Sequence, residues 1–250
     1  MTTPEPFEAT SRYYDLLYQE KDSAAEAAYL DGLLQRHGIS GLELLEFGSG
    51  TGRHGCLLAE SGYRVHGLER SSAMVAAAQR TPGFSCQQGD ITITQLERRF
   101  DAVLALFHVV SYQTTNPGVQ AVFANAAHHL RPGGLFLFDV WYSPAVLAQR
   151  PELRVKRLQN KDLSITRIAV PTLYPNANRV DVHYTVMAQE LRKGALHTFE
   201  ETHPMRHFSL PELDLLAEAA GFDRLTAEEW LSGAPPSEAT WGLCLVLRKQ

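Results

Sequence analysis

Residues 44–55, Leu-Leu-Glu-Phe-Gly-Ser-Gly-Thr-Gly-Arg-His-Gly, set three glycines on alternate positions directly after an apolar run that contains Glu46. Glycine has no Cβ and enters positive φ without strain, so Gly48, Gly50 and Gly52 suit a tight strand-to-helix turn pressed against a ligand. The N–H groups that open the following helix can meet an anion there. About 20 residues on, Val65-His-Gly-Leu-Glu69 is a second apolar run ending in a carboxylate, at the spacing where an acid accepts ribose hydroxyls. A third chemical group is Phe107-His-Val-Val-Ser-Tyr112, where an imidazole that titrates near neutrality and a phenol follow another apolar run. A glycine turn with an acid one crossover later is a site for a nucleotide-type ligand. The histidine and tyrosine provide for a second, polar reactant.

Two nucleotides compete for the turn. Gly50, Gly52 and Gly55 fit G-x-G-x-x-G, the dinucleotide fingerprint, with Glu69 as its acid. The register opposes this. The glycine that closes the strand is Gly48, which puts the large Arg53 where the third glycine should allow close helix–strand packing. The run Glu46-Phe-Gly-Ser-Gly-Thr-Gly52 instead resembles the first motif of the class I S-adenosylmethionine-dependent methyltransferases. Gly89-Asp90-Ile91, Phe100 to His108, and Leu130-Arg-Pro-Gly-Gly to Asp139 extend the resemblance in order over residues 42–140. Concordant signals at several positions outweigh one motif.

The resemblance implies S-adenosylmethionine as methyl donor and S-adenosylhomocysteine as product. It implies that Gly48, Gly50 and Gly52 meet the donor's carboxylate, Glu46 its ammonium and Glu69 its ribose. Asp90 and the Ile91 N–H would take the adenine, with Phe107 in the same pocket. His108 and Tyr112 would then stand where the methyl is delivered, as catalytic candidates; the alternative for His108 is packing against adenine or substrate. The loop has no Asn/Asp-Pro-Pro-Tyr, expected where exocyclic base amines or glutamine amides are methylated, and no cysteine nucleophile.

Arg12-Tyr-Tyr-Asp-Leu-Leu-Tyr18 and the stretches 178–184 and 201–208 resemble, more narrowly, the N-methyltransferases of nucleotide-linked amino sugars. On that resemblance Tyr14 and Tyr18 close over the cofactor and His203 lies on the acceptor side; otherwise these aromatics only pack a helix. Ser23, Tyr112 and Ser237-Glu-Ala-Thr-Trp-Gly242 depart from that group's pattern, which opens the acceptor question. The expected activity is methyl transfer to a polar small molecule, an amine on a nucleotide-linked sugar. An O-methyltransferase and a non-catalytic S-adenosylmethionine-binding module are the alternatives, and an NAD(H) oxidoreductase is a further one.

The elements that must position these groups alternate strand and helix: strands near 42–47, 63–68, 83–87, 100–105 and 134–140, helices near 52–61, 71–80 and 117–130. Such apolar strands imply a parallel sheet covered on both faces. The expected fold is α/β, a Rossmann-like seven-stranded methyltransferase sheet with one antiparallel edge strand. Two helices over residues 8–37 form an N-terminal lid. Residues 143–208 form an antiparallel insertion between the two parts of the main domain, 1–142 and 209–250. Val180, Val182, Tyr184 and Val186 share one face of it, and Ser209-Leu-Pro-Glu212 reads as a capping box. The basic stretch 150–167 is either a solvated strand face or a diphosphate contact. His128 and His129, at a helix end, are expected to favour the helix dipole.

With 250 residues, 44% hydrophobic and 20% charged, the chain is an ordinary globular protein. A net charge of −5 argues against nucleic acid as a partner, and no apolar run is long enough to span a bilayer. No Cys/His spacing suits a metal. Cys56, Cys86 and Cys244 are odd in number and scattered, which reads as buried free thiols in a reducing, cytoplasmic setting. A homodimer is compatible with the sequence.

Overall fold

A computed structural model describes residues 13–78 and 80–250, apart from the side chains of Tyr14 and Asp15. In chain order the elements are α1 (Tyr14–Leu17), α2 (Ser23–Arg36), β1 (Glu43–Phe47), α3 (Arg53–Glu60), β2 (Arg64–Glu69), α4 (Ser72–Ala77), β3 (Phe84–Gln88), β4 (Phe100–Ala105), α5 (Asn116–His129), β5 (Leu130–Tyr142), α6 (Ser143–Gln149), β6 (Arg154–Gln159), β7 (Leu163–Tyr174), β8 (Arg179–Glu190), β9 (Leu196–Phe208), α7 (Leu210–Ala219), β10 (Phe222–Glu229) and β11 (Gly242–Lys249). They divide into two compact units: residues 22–149 with 207–250, and residues 13–21 with 150–206. Helix α6, expected within the insertion, groups with the larger unit; its Ala145 and Val146 are fully buried.

The larger unit is built on five parallel strands in the order β3-β2-β1-β4-β5, continued by β11 and β10. Both parities of β1, β4 and β5 are buried because both faces of the sheet are covered there. Leu45, Phe47, Val103, Phe136 and Phe138 join one core with α5 and α7 residues such as Phe123 and Leu213. Leu44, Ala102, Leu104, Leu135 and Leu137 join a second core with Leu30, Leu33 and Leu34 of α2 and Leu58 of α3. Phe123 meets Phe136 and Phe138 edge to face, at centroid distances of 5.5 and 5.4 Å. The antiparallel strand differs in place from its expectation. β11 pairs with β5, so its hairpin partner β10 takes the rim.

Caps fix the helix starts. Asp22 accepts from Ala25 N–H at 2.9 Å, Ser71 from Met74 N–H at 3.3 Å and Thr115 from Gly118 N–H at 3.2 Å. Ser209 begins α7 but its side chain makes no capping bond. Pro211, at the second position of the helix, removes one of the two N–H groups that a capping hydroxyl could reach. The histidines at the end of α5 also differ from expectation. His129 is fully buried, and burial lowers its pKa, so it is neutral. Its Nδ1 lies 2.8 Å from Asn125 O, and its Nε2 accepts Leu96 N–H at 2.9 Å. The pKa of His128 is lowered too, by burial first and then by Arg99 and Lys249. The cation at this helix end is Lys249, whose Nζ donates to Ala127 O at 2.7 Å and Leu130 O at 2.9 Å.

In the smaller unit β6 to β9 form an antiparallel meander. Val180, Val182, Val186 and Ala188 are buried along β8, and Ile165, Val186 and Ala188 pack with Tyr13, Leu16 and Leu17 around α1. The expected helix from residue 8 is described only from residue 13 onward. No helix among the described residues is long and apolar enough to cross a membrane, and no group of His, Cys, Asp and Glu there could hold a metal ion.

Candidate active site

The expected ligand groups of the larger unit gather at the carboxyl ends of β1, β2, β3 and β4. The strand order changes direction between β1 and β4, and open parallel sheets bind their ligands at such a switch point. The turn after β1 has φ of 67° at Gly48, 56° at Gly50 and 82° at Gly52. Space also demands glycine at the two ends: a Cβ on Gly48 would lie 2.5 Å from Val109 Cγ2, and one on Gly52 2.4 Å from the Phe84 ring. At Gly50 the nearest atom would be Met74 Sδ at 3.9 Å, leaving room beside the middle of the turn.

Glu69, 8% exposed, closes this turn from β2. Its Oε2 accepts Gly50 N–H at 2.9 Å and its Oε1 accepts Ser71 N–H at 2.8 Å. Each carboxylate oxygen has a second lone pair, so the clamp can accept further donors. Ser49 Oγ and Thr51 Oγ1 are buried and make no hydrogen bond among the described residues, and buried polar atoms of this kind are what a ligand's polar atoms satisfy. Glu46 lies beneath the turn at 2% exposure. The glycine turn with the buried hydroxyls of Ser49 and Thr51, an acid below it and an acid beside it fit the donor expected from the sequence.

Asp90 is half-buried, and its Oδ1 accepts from Thr92 N–H at 2.8 Å and Thr92 Oγ1 at 2.6 Å. These bonds hold the loop after β3, and α5 holds it from behind: Asn125 Nδ2 donates to Ile91 O at 2.8 Å and to Thr94 O at 3.0 Å. Ile91 itself is buried.

The loop after β4 holds two successive residues in the left-handed region, Phe107 at φ 61° and His108 at φ 63°. Non-glycine residues there are uncommon and cost about 1–3 kcal/mol each, and such strain gathers at functional sites. Asp139 of β5, 2% exposed, accepts His108 N–H at 3.2 Å on both oxygens. Its Oδ2 lies 2.6 Å from His108 Nδ1, an ion-pair contact rather than an aligned hydrogen bond. The His108 ring stacks on Phe107 at 5.8 Å and meets the edge of Trp141 at 6.1 Å. Tyr112 is half-buried at the end of a 3-10 turn spanning Val109–Tyr112. Asp139 stands in no motif that marks it as functional in the sequence. The available signal was a lone carboxylate in the apolar run of β5, level with the ends of the other strands.

Tyr18 and His203 belong to the smaller unit. Arg167 lies over the Tyr18 ring at 5.5 Å and the Tyr184 ring at 5.0 Å, and its Nη1 donates to Tyr18 Oη at 3.2 Å. His203, 4% exposed, has Nε2 3.1 Å from Glu201 Oε2 and meets Tyr184 edge to face at 4.9 Å. Burial raises the Tyr184 hydroxyl to about 12, so it stays protonated. In the basic stretch, Lys156 pairs with Glu20 at 2.8 Å, while Arg150, Arg154, Arg157 and Lys161 are exposed. The side chain of Tyr14 lies outside the described residues.

The chain is similar to known methyltransferases. Residues 44–134 match the family model of a methyltransferase domain. The chain is 31% identical over 225 residues to a dTDP-3-amino-3,4,6-trideoxy-alpha-D-glucopyranose N,N-dimethyltransferase of Streptomyces venezuelae, covering 89% of this chain and 92% of that one. It is 30% identical, over 89% of this chain and 85% of the other, to a dTDP-3-amino-3,6-dideoxy-alpha-D-glucopyranose N,N-dimethyltransferase of Streptomyces fradiae. In fold it is similar to a sugar N-methyltransferase from Streptoalloteichus, with a TM-score of 0.80 at 23% identity over 95% of this chain and 93% of that one. The matched range 44–134 includes the glycine turn, and the chain belongs to the class I S-adenosylmethionine-dependent methyltransferases, with S-adenosylmethionine as its methyl donor.

Proposed function

We propose that this enzyme methylates an amino group on a nucleotide-linked sugar. Two relatives at 30% identity or more, both named as dimethyltransferases of dTDP-linked amino sugars, support the acceptor class. The observation that carries the reading is the His108–Asp139 pair beside the glycine turn, 2.6 Å apart on a strained loop.

Bound S-adenosylmethionine supplies an electrophilic sulfonium methyl. The Gly48–Gly52 turn receives the donor's carboxylate and Glu46 its ammonium. The N–H groups of Gly48, Gly50 and Gly52 are themselves given to Leu68 O, Glu69 and Ser49 O, so the glycines shape the turn rather than donate to the ligand. Glu69 accepts the ribose hydroxyls, Asp90 and the Ile91 N–H take the adenine, and Phe107 covers the pocket. An amine attacks only when it is neutral, so a proton must leave the nitrogen. His108 accepts it at Nε2, with Nδ1 turned to Asp139, whose charge favours the imidazolium that forms. Tyr112 orients the acceptor through its hydroxyl. Alignment of amine and methyl supplies most of the acceleration, as in other reactions that need little more than positioning. For the smaller unit, Tyr14 and Tyr18 serve the cofactor and His203 the acceptor on the same proposal. A cytoplasmic setting belongs to it too, supported by three cysteines kept as free thiols.

The test is methyl transfer from S-adenosylmethionine to a panel of dTDP-linked deoxysugars that carry either an amino or a hydroxyl group at the same carbon, read by mass spectrometry. The proposal expects product from the amino sugars only. Turnover confined to the hydroxyl series would make the enzyme an O-methyltransferase.

A further inference from the structure

The segment Ser237–Gly242, which departs from the amino-sugar pattern, sets a tryptophan close to the candidate base. Gly242 pairs with Trp141 where β11 meets β5, and a Cβ on Gly242 would lie 3.9 Å from His108 Cε1. Trp141 follows Asp139 by two residues, so it stands on the same face of β5, one step nearer the carboxyl end. Its ring meets His108 edge-on at 6.1 Å and Trp241 at 6.0 Å, the two indole planes standing at 90°. His108, Trp141 and Trp241 thus form a row of rings, and the two indoles make a corner. Both are half-buried, and the mechanism above uses neither.

The corner is held by hydrogen bonds. Trp241 Nε1–H donates to Gln149 Oε1 at 2.7 Å, and Gln149 Nε2 donates to Glu238 O at 2.7 Å. One amide at the end of α6 therefore fixes both the indole and its loop. Trp241 O accepts Tyr142 N–H at 3.1 Å, and Thr240, 1% exposed, accepts Ser237 N–H on Oγ1 at 3.0 Å. An indole has one N–H donor and no acceptor, and that of Trp241 is spent on Gln149. What the Trp241 ring offers a ligand is apolar surface. The C–H and methyl groups of a sugar gain from leaving water against such a surface, whereas a hydroxyl set there gives up water without a partner.

We infer that Trp141 and Trp241 are specificity-determining residues of the acceptor site: their corner takes the C–H-rich side of the acceptor, sets its reacting group toward His108 and discriminates against a hydroxyl on that side. Gln149 is the positioning residue that keeps the Trp241 ring turned. The inference rests on the proposed sugar acceptor and on His108 as the group that meets it.

The test compares kcat/KM for two dTDP-linked amino sugars that differ only in a methyl or a hydroxymethyl group at C5. The parent should favour the methyl sugar by roughly tenfold to a hundredfold, the discrimination that an apolar pocket achieves over one small group. Trp241→Ala should remove most of that preference, chiefly by raising KM for the methyl sugar, while calorimetric binding of S-adenosylhomocysteine stays unchanged. Trp241→Phe, which keeps an apolar ring, should retain most of the preference, and Gln149→Ala should lose part of it. A parent without preference, or a Trp241→Ala variant that slows both sugars equally, would overturn the inference. If Trp241→Ala does not fold, the ratio in Gln149→Ala carries the test, and an unchanged ratio rejects the inference. Turnover confined to sugars with a hydroxyl in place of the amine would refute the amine reading instead, and the same methyl-to-hydroxymethyl ratio on those acceptors would still decide the corner.

Discussion

Replacing Asp139 with asparagine tests whether the strained loop after β4 does acid–base work. The substitution preserves shape and still offers a carbonyl oxygen to His108 N–H, which now bonds both carboxylate oxygens at 3.2 Å. It removes the negative charge 2.6 Å from His108 Nδ1. At an effective dielectric of about 20, Coulomb's law gives roughly 6 kcal/mol for two unit charges at that separation. The His108 ring is 24% exposed, so water screens part of this. A fall in kcat of about a hundredfold follows, within the range of about 10²- to 10⁴-fold that general acid–base groups contribute. Steady-state methyl transfer gives kcat, and calorimetry with S-adenosylhomocysteine gives donor affinity, which should not move. Combining Asp139→Asn with His108→Ala should cost little more than His108→Ala alone, because residues acting as a unit are not additive. A kcat within twofold of the parent would refute the reasoning and leave the pair as loop scaffolding. A matching loss of donor affinity would move both residues to the cofactor pocket.

Three further outcomes are expected. Glu69→Ala should weaken S-adenosylhomocysteine by about 1.5–3 kcal/mol, the worth of charge-assisted hydrogen bonds, in a titration; unchanged affinity would remove Glu69 from the ribose site. Phe123→Ala, deep between Phe136 and Phe138, should destabilise the protein by about 3–5 kcal/mol in urea unfolding, and a loss under 1 kcal/mol would mean that the core there closes over the gap. Burial holds His129 neutral with its pKa lowered, so below about pH 6.5 the unfolded chain binds a proton that the native state refuses, and stability falls as pH falls. His129→Gln should flatten that acid limb by up to about 1.4 kcal/mol per pH unit, measured by urea midpoints across pH 5–7; an unchanged slope would assign the limb to other groups.

The parallel sheet was legible because both faces of its strands are buried and the sequence shows uninterrupted apolar runs. Its strand from Phe100 to Ala105 was expected at the bounds observed. Strand β5 begins at Leu130 rather than near 134, since Phe100 already pairs with Leu130 and a register shift follows. The meander was legible through the alternation of Val180, Val182 and Val186. What periodicity could not reveal is which side chain meets which across the fold. Asp139 and His108 are 31 residues apart, Trp241 and Gln149 are 92 apart, and a hydrophobic period fixes only the face on which each stands. Positive φ at Phe107 and His108 leaves no trace in composition, because the usual marker of that conformation is glycine or asparagine.

The donor and acceptor sides of this enzyme are specified by different kinds of constraint. On the donor side the backbone does most of the holding: Gly50 and Ser71 N–H groups fix Glu69, and positive φ recurs at three alternate residues. Few sequences satisfy such a backbone, so the donor is legible from the glycine turn together with the motifs that follow it in order. The loop that carries His108 is held by side chains, the Asp139 carboxylate from below and Val109 against Gly48, where a Cβ would come within 2.5 Å of the valine. The same glycine that lets the turn close on the donor therefore also admits the valine that seats the loop. Turn and loop form one tightly packed body, and the strain at Phe107 and His108 is borne by contacts that the donor turn itself makes possible. Changes in the residues carried on that loop can alter which acceptor is deprotonated while the donor site below stays fixed. A family can then share one methyl donor and differ in what it methylates.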